Sequence, residues 1–156
     1  MTLHLIETDD GAGLRVEEGG VGPAVFLVKG AFCSLRQWDR VVSDLAGSFR
    51  LIRHDVRGSG CSRGGAAEAN TFAHPDRMPF VARVKMSVLV ATGEHDPNLA
   101  SSRRALAGLE DGCLEVLAHT GHGSVLQRPD LVAKTVMPFL GGEPAGSGAG
   151  PRVQPG

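Results

Sequence analysis

The feature that most constrains the fold is a short apolar run, then a helical pattern, then a second apolar run. Residues 24–28 are continuously apolar, and Leu51 and Ile52 lie in the second run. Continuous apolar runs of this length are typical of strands that helices cover on both faces. Residues 34–45 carry apolar side chains at helical spacing between them. A crossover helix joining two parallel strands is therefore expected.

The rest of the chain extends this pattern at both ends. Residues 3–8 and 14–18 alternate apolar with polar side chains around a turn sequence, which predicts an antiparallel hairpin. A strand, a helix, a strand and a last helix are then predicted at residues 87–92, 99–109, 113–117 and 129–140. Pro129 and Asp130 suit a first helical turn. The predicted fold class is α/β, with a sheet of about six strands flanked by helices.

Composition predicts one domain and a tail. A chain of 156 residues corresponds to a single domain by the usual length expectation. We predict a domain over residues 1–140, in which the weakly patterned residues 63–79 form a bridge. Residues 141–156 are rich in glycine and proline and are predicted to be a disordered tail.

The net charge and the cysteine content indicate which partners and which cellular compartment to expect. The formal net charge of −1 gives no field that would favour nucleic acid or an anionic membrane, so a small molecule or another protein is the expected partner. The apolar runs are too short to span a bilayer, and the N-terminus lacks the basic start and long apolar stretch of a secretory signal. The three cysteines fit free thiols in a reducing compartment. A cytoplasmic location is expected, with no cofactor.

Three motifs occur in order after predicted strands. Residues 55–62 read Asp-Val-Arg-Gly-Ser-Gly-Cys-Ser, residues 92–96 read Thr-Gly-Glu-His-Asp, and residues 120–123 read Thr-Gly-His-Gly. With Trp38 upstream, this order resembles the α/β-hydrolase family of esterases, lactonases and haloperoxidases, whose D-x-R-G-x-G-x-S loop matches residues 55–62. The resemblance implies that this loop is structural and that hydrolase residues follow the later strands.

The resemblance implies that Asp96 is the acid and His122 the base of a catalytic triad. Gly121 and Gly123 would leave the backbone free to bring the imidazole to both partners. Taken singly, each residue also has a simpler interpretation. Asp96 could cap the helix that follows it, and His122 could be an ordinary loop histidine.

The first predicted parallel strand leads into the place of the family's oxyanion turn. Lys29 replaces the family's histidine there. The donor in such a turn is a backbone N–H, so Ala31 or Phe32 could still supply one. Trp38 is either a contact to the substrate or an anchor in the core.

The segment that carries the nucleophile in the family is absent between the two groups of motifs, so the resemblance is to an internally shortened hydrolase. Residues 60–64 do read Gly-Cys-Ser-Arg-Gly, which makes Ser62 a candidate nucleophile, but they belong to the D-x-R-G loop and not to a strand-to-helix elbow. Cys33, Ser34 and Cys61 are further candidates. No metal site is expected, although His119 and His122 have H-x-x-H spacing.

The missing segment also affects folding. Neighbouring strands lie about 4.8 Å apart, so two absent strands would leave a space of roughly 10–15 Å. Either the strand at residues 24–28 pairs directly with the strand at residues 87–92, or another chain fills the space in an oligomer, or the fold is compromised.

Three functional hypotheses follow. The first is a hydrolase of a small ester, lactone or thioester that acts by acyl transfer. The second is a non-catalytic protein that binds a ligand or partner, and the third is a degraded hydrolase remnant that folds poorly.

Overall fold

The polypeptide forms two compact units. The computed structural model describes residues 1–29, 33–64, 78–142 and 152–153. The N-terminal unit is Met1–Ala73 and the C-terminal unit is His74–Gly156. Each unit has its own hydrogen-bonded sheet. Most of the predicted bridge, residues 65–77, lies outside the described residues.

The N-terminal unit contains a mixed four-stranded sheet. Its strands are β1 (Thr2–Glu7), β2 (Gly13–Gly19), β3 (Ala24–Leu27) and β4 (Arg50–His54). They lie in the order β1-β2-β4-β3, with β3 and β4 parallel and the other neighbouring pairs antiparallel. Gly11 in the turn between β1 and β2 has a φ of 81°, a conformation open to glycine. The predicted hairpin is confirmed.

The predicted crossover helix connects β3 to β4. It begins as a 3₁₀ helix, Leu35–Trp38, and continues as α1, Asp39–Leu45. The Ser34 hydroxyl caps the first turn by accepting a hydrogen bond from the Arg36 N–H at 3.3 Å. The buried apolar side chains of this part of the unit are Leu35, Val41, Val42, Leu45, Phe49 and Leu51. The helical spacing over residues 34–45 therefore predicts which face of the crossover helix packs into the core.

The C-terminal unit repeats the parallel strand and helix pattern. Its strands are β5 (Val88–Gly93), β6 (Gly112–Leu117) and the short β7 (Arg152–Val153). Its helices are α2 (Met78–Val81), α3 (Leu99–Ala107), α4 (Ser124–Gln127) and α5 (Pro129–Leu140). The strands β5 and β6 are parallel, β7 is antiparallel to β6, and α3 and α5 pack against β5 and β6. Leu106, Leu109 and Leu114 form the centre of its core.

The last helix begins and ends at the residues predicted for it. Pro129 occupies the first helical turn, where a missing N–H costs no hydrogen bond. Arg128 donates to both carboxylate oxygens of Asp130, at 3.0 and 2.8 Å. This bidentate pair lowers the pKa of Asp130 to about 2.

The α/β fold class is confirmed, with two differences in detail. The six predicted strands are all present, but they are divided between two hydrogen-bonded sheets. The prediction that helices cover both faces of the strand at residues 24–28 is wrong for β3. Phe26 is 57% exposed, and β4 is the one strand that pairs with β3 among the described residues. No helix in the described part of the chain is long and apolar enough to cross a membrane.

Candidate active site

An aspartate and a histidine meet at the ends of β5 and β6. Asp96 follows β5, and His122 follows β6, its parallel neighbour. Parallel strands bring their carboxyl ends to the same edge of a sheet, where ligands bind in open α/β folds. The Nδ1 atom of His122 lies 3.2 Å from each carboxylate oxygen of Asp96. The structure therefore brings together the predicted acid and base of the triad.

The Asp96 carboxylate is fixed from several sides. One oxygen accepts the Asn98 N–H at 2.7 Å, and the other accepts the Thr92 hydroxyl at 3.3 Å. Burial raises the pKa of Asp96, but the hydrogen bonds from Asn98, His122 and Thr92 and the nearby imidazole outweigh it. The net pKa lies below the ordinary value. The carboxylate is thus a fixed, ionised partner for the ring.

His122 has the exposure that a proton-transfer group needs. Its side chain is 74% exposed, whereas the Asp96 side chain is 10% exposed. Because Nδ1 faces the Asp96 carboxylate at 3.2 Å, Nε2 is the ring nitrogen left for a reacting group. A carboxylate on one imidazole nitrogen favours the imidazolium that forms when the other nitrogen takes a proton.

Gly93 allows the two loops to come together. A Cβ atom at this position would lie 2.4 Å from the carbonyl oxygens of Thr120 and Gly121. The sequence indicated Gly121 and Gly123 as the glycines that free this loop, but neither has a positive φ among the described residues. The close approach is at the end of β5, and a single sequence gives no signal for it.

The D-x-R-G loop of the N-terminal unit has the structural role implied by the resemblance. Asp55 is 2% exposed, and its carboxylate accepts the N–H groups of Leu35 at 2.7 Å and Cys61 at 3.0 Å. Gly60 has a φ of 59°, and a Cβ there would meet the Asp55 carboxylate at 2.2 Å. Arg57 pairs with Asp10 in the hairpin turn. The loop is thus tied to the helix before it and to the hairpin.

Ser62 lies in this loop, in the N-terminal unit. It is 7% exposed. Its hydroxyl donates to the Asp55 carbonyl at 2.7 Å and accepts the Arg15 N–H at 2.8 Å. Both interactions are with backbone groups, and they favour a structural role. The assignment of Ser62 as nucleophile stays a prediction without support from this geometry.

The other candidate nucleophiles differ in accessibility. Cys61 is exposed and Cys33 is half-buried. Cys61 is therefore the more accessible of these two thiols.

Sequence reasoning missed a buried ionic cluster next to this loop. Arg53 is 5% exposed, and its guanidinium donates to Glu17 at 2.7 and 3.1 Å and to Asp39 at 2.6 Å. It also donates to the Leu35 carbonyl at 3.3 Å. An arginine in the middle of a strand gives no indication of partners that are far away in the chain.

The predicted substrate and oxyanion residues are only partly described. Ala31 and Phe32 lie outside the described residues. Trp38 ends the 3₁₀ helix and is half-buried. The oxyanion role of residues 31 and 32 stays a prediction, as does the choice between core anchor and substrate contact for Trp38.

Comparison with known proteins identifies the fold. No protein-family model and no curated protein matches the sequence. A thermophilic esterase from Thermogutta terrifontis is similar in structure, with a TM-score of 0.82, 12% identity and coverage of 91% of this chain and 99% of the esterase. A bromoperoxidase from Bacillus anthracis gives a TM-score of 0.79 at 12% identity, covering 90% of this chain and 100% of the other.

A hydrolase from Pseudomonas aeruginosa is also similar, with a TM-score of 0.79, 16% identity and coverage of 89% and 98% of the two chains. Identities this low establish a shared fold and transfer no activity. The strand and helix order, the Asp96–His122 pair at the edge of a parallel sheet and these similarities lead to one conclusion. The chain has an α/β-hydrolase fold, as its motifs predict.

Proposed function

We propose that this protein hydrolyses a small ester, lactone or thioester by acyl transfer, with His122 as the base and Asp96 as the residue that orients it. The observation that carries the proposal is the contact of Nδ1 with both Asp96 oxygens at 3.2 Å. The lowered pKa of Asp96 supports it, because an ionised carboxylate is needed opposite a developing imidazolium.

The proposed reaction begins when Nε2 of His122 takes a proton from the nucleophile. The nucleophile attacks the carbonyl carbon, and the carbonyl electrons move onto oxygen to give a tetrahedral oxyanion. The intermediate collapses, and the departing alcohol or thiol takes the proton from His122. With a side-chain nucleophile, water then releases the acid from the acyl-enzyme by the same sequence. The backbone N–H of Ala31 or Phe32 is the proposed oxyanion donor, on the family resemblance.

The candidate nucleophiles differ in how accessible they are. The Ser62 hydroxyl is buried and bonded to two backbone groups, which disfavours it. Cys61 is exposed and Cys33 is half-buried, and these two thiols stay candidates on the family resemblance, as does water. A water nucleophile would give direct hydrolysis without a covalent intermediate.

A second candidate function is non-catalytic binding of a small ligand or a partner. It is favoured by one observation, the engagement of the Ser62 hydroxyl, which is the serine of the single literal G-x-S-x-G sequence. This function predicts binding without turnover. A degraded remnant, the third hypothesis, predicts poor folding. A cooperative thermal unfolding transition of the purified protein would exclude it.

We place the protein in the cytoplasm as part of this proposal. All three cysteines are free, and free thiols persist in reducing compartments.

The test measures turnover of p-nitrophenyl acetate, a γ-lactone and an acyl thioester by the purified full chain. The variant His122→Ala is expected to lose roughly 10²–10⁴-fold in turnover, the usual contribution of a general base. The matched control is His4→Ala, because His4 is a partly exposed histidine on β1 in the other unit. Turnover in His4→Ala is expected to equal that of the wild type.

Equal turnover in His122→Ala and the wild type would overturn the proposal. Mass spectrometry after substrate addition, and labelling with a fluorophosphonate, identify a covalent nucleophile. Absence of all turnover and labelling in a cooperatively folded protein, together with saturable binding of a substrate analogue, would establish the binding function instead.

A further inference from the structure

A second group of polar side chains lies beside the Asp96–His122 pair. Glu94 and His95 follow β5, and His119 follows β6. Their potential ligand atoms all lie within 4.8 Å of one another. One Glu94 oxygen is 3.9 Å from Nε2 of His95 and 3.9 Å from Nδ1 of His119. All three residues are exposed, so a ligand from solution can reach them.

The backbone holds these residues in place. Glu94 donates its N–H to the Leu117 carbonyl at 2.9 Å, and His95 donates to the Thr120 carbonyl at 2.9 Å. The Glu94 carboxylate in turn accepts the His119 N–H at 3.0 Å. Three hydrogen bonds thus join the loop after β5 to the end of β6 and to the loop that follows it, so two segments distant in sequence supply the group.

His119 adopts an uncommon backbone conformation. Its φ is 55°, the one positive φ of a non-glycine residue among the described residues. Left-handed conformations are uncommon for side-chain-bearing residues and carry a free-energy cost. Here the conformation accompanies the hydrogen bond to Glu94 and an imidazole on the same side as that carboxylate.

We propose that Glu94, His95 and His119 form a binding site for a divalent transition-metal ion, with Zn²⁺ the best match. Two imidazole nitrogens and one carboxylate oxygen are a ligand set that zinc uses with a fourth position open to water. Ligands at about 2.0–2.2 Å in a tetrahedron are roughly 3.3 Å apart. The two 3.9 Å distances therefore need to shorten slightly, and the two histidine nitrogens, which lie within 4.8 Å of each other, need to approach as well. Rotation of the exposed side chains can provide both movements.

This site differs from the pairing suggested by H-x-x-H spacing. His122 faces Asp96, whereas His119 faces Glu94. An ion at Glu94, His95 and His119 would cross-link the loops after β5 and β6. Because the ion would bind the folded state and not the unfolded state, it would raise the thermal stability of the C-terminal unit. The site would thus brace the two loops that carry Asp96 and His122, whether or not the protein is a hydrolase.

The test titrates Zn²⁺ into the full chain, purified without a histidine tag, by isothermal titration calorimetry and by thermal unfolding. The wild type is expected to bind one equivalent and to unfold at a higher temperature with zinc. His95→Ala and His119→Asn are each expected to weaken binding by at least about tenfold. Asparagine tolerates a left-handed backbone, so this variant separates loss of the ligand from loss of the fold.

Three control variants distinguish this site from other sources of binding. His4→Ala, Cys61→Ser and His122→Ala are expected to bind zinc as the wild type does. Unchanged binding in His95→Ala and His119→Asn would overturn the proposal, as would loss of binding in His122→Ala or Cys61→Ser. The readout is zinc affinity, so failure of the proposed hydrolase activity leaves this test unaffected.

Discussion

Each unit has an aspartate shortly after a parallel strand, but the two carboxylates differ in what they contact. Asp55 follows β4, is buried, and accepts two backbone N–H groups, from Leu35 and Cys61. Asp96 follows β5, and both of its oxygens lie 3.2 Å from an imidazole nitrogen of His122, a side chain that is 74% exposed. One carboxylate connects backbone segments, and the other contacts an exposed imidazole.

The difference shows that residue type and position after a strand do not decide a role. Both aspartates are well ordered by hydrogen bonds, and both follow strands with a parallel neighbour. Their partners decide the role, because backbone N–H groups cannot titrate whereas an exposed imidazole can exchange a proton with solvent or substrate. We therefore expect Asp55 to contribute mainly to stability, and Asp96 to the proposed chemistry.

The largest expected effects come from removing each of the two carboxylates in a separate variant. Asp55→Ala is expected to lower the free energy of unfolding by roughly 3 kcal/mol, since two N–H donors lose an acceptor at about 1–3 kcal/mol each. Asp96→Ala is expected to lower ester turnover by roughly 10²-fold or more. Its loss of stability is expected to be about 1–2 kcal/mol, smaller than for Asp55 because the Asn98 N–H that loses its acceptor is exposed. Urea unfolding followed by far-ultraviolet circular dichroism, which reports on the helices and strands of both units, measures stability.

Asp44→Ala is the control for both variants, because Asp44 is exposed on α1. It is expected to stay within about 0.5 kcal/mol of the wild type. Equal destabilisation by Asp55→Ala and Asp96→Ala would contradict the division of roles.

A smaller effect is expected when the close backbone approach at Gly93, which positions the His122 loop, is disturbed. Gly93→Ala places a Cβ 2.4 Å from two backbone oxygens, and the required shift is expected to cost about 1–3 kcal/mol and to reduce turnover. Gly123→Ala is the matched control beside His122, because a Cβ there meets no atom within 4 Å. Thermal unfolding and ester turnover measure the two variants. Similar results for both would mean that the close approach at Gly93 does not position the loop.

The smallest effect concerns acid stability in the N-terminal unit. Burial raises the pKa of Glu17, but hydrogen bonds from Arg53 and Arg15 outweigh it, so the net pKa lies below 4.5. The ionic cluster therefore contributes stability that is fully present above pH 4.5 and is lost as the pH falls through the folded-state pKa. Glu17→Gln is expected to flatten this acid dependence of the unfolding free energy. Urea unfolding between pH 3 and 7, roughly the range in which carboxylates titrate, measures it, and an unchanged slope would contradict the assignment.

Local patterns predicted the elements well. The helix Pro129–Leu140 has its predicted bounds, since a proline and an acid mark its start and apolar spacing continues to its end. The hairpin of β1 and β2 and the parallel pairing of β3 with β4 also agree with the sequence. These features depend on neighbours within a few residues, or on one crossover helix, so a single sequence contains the information.

Contacts between distant residues were not predictable in the same way. Arg53 and Glu17 are 36 residues apart in sequence, and neither lies in a recognisable motif. Thr92 and Gly93 support Asp96 and His122 through a hydroxyl contact and a close backbone approach. Such partners are fixed only when strands from different parts of the chain take their places in a sheet.

The sequence by itself determined the α/β class, the order of strands and helices, and the positions of Asp96 and His122 at strand ends. It did so because hydrophobic periodicity and turn residues act locally. Only the tertiary structure decided that Asp96 contacts His122, that Ser62 is buried in backbone hydrogen bonds, and that Glu94, His95 and His119 converge. The physical reason is that burial and side-chain distances depend on packing between segments, which no local pattern specifies.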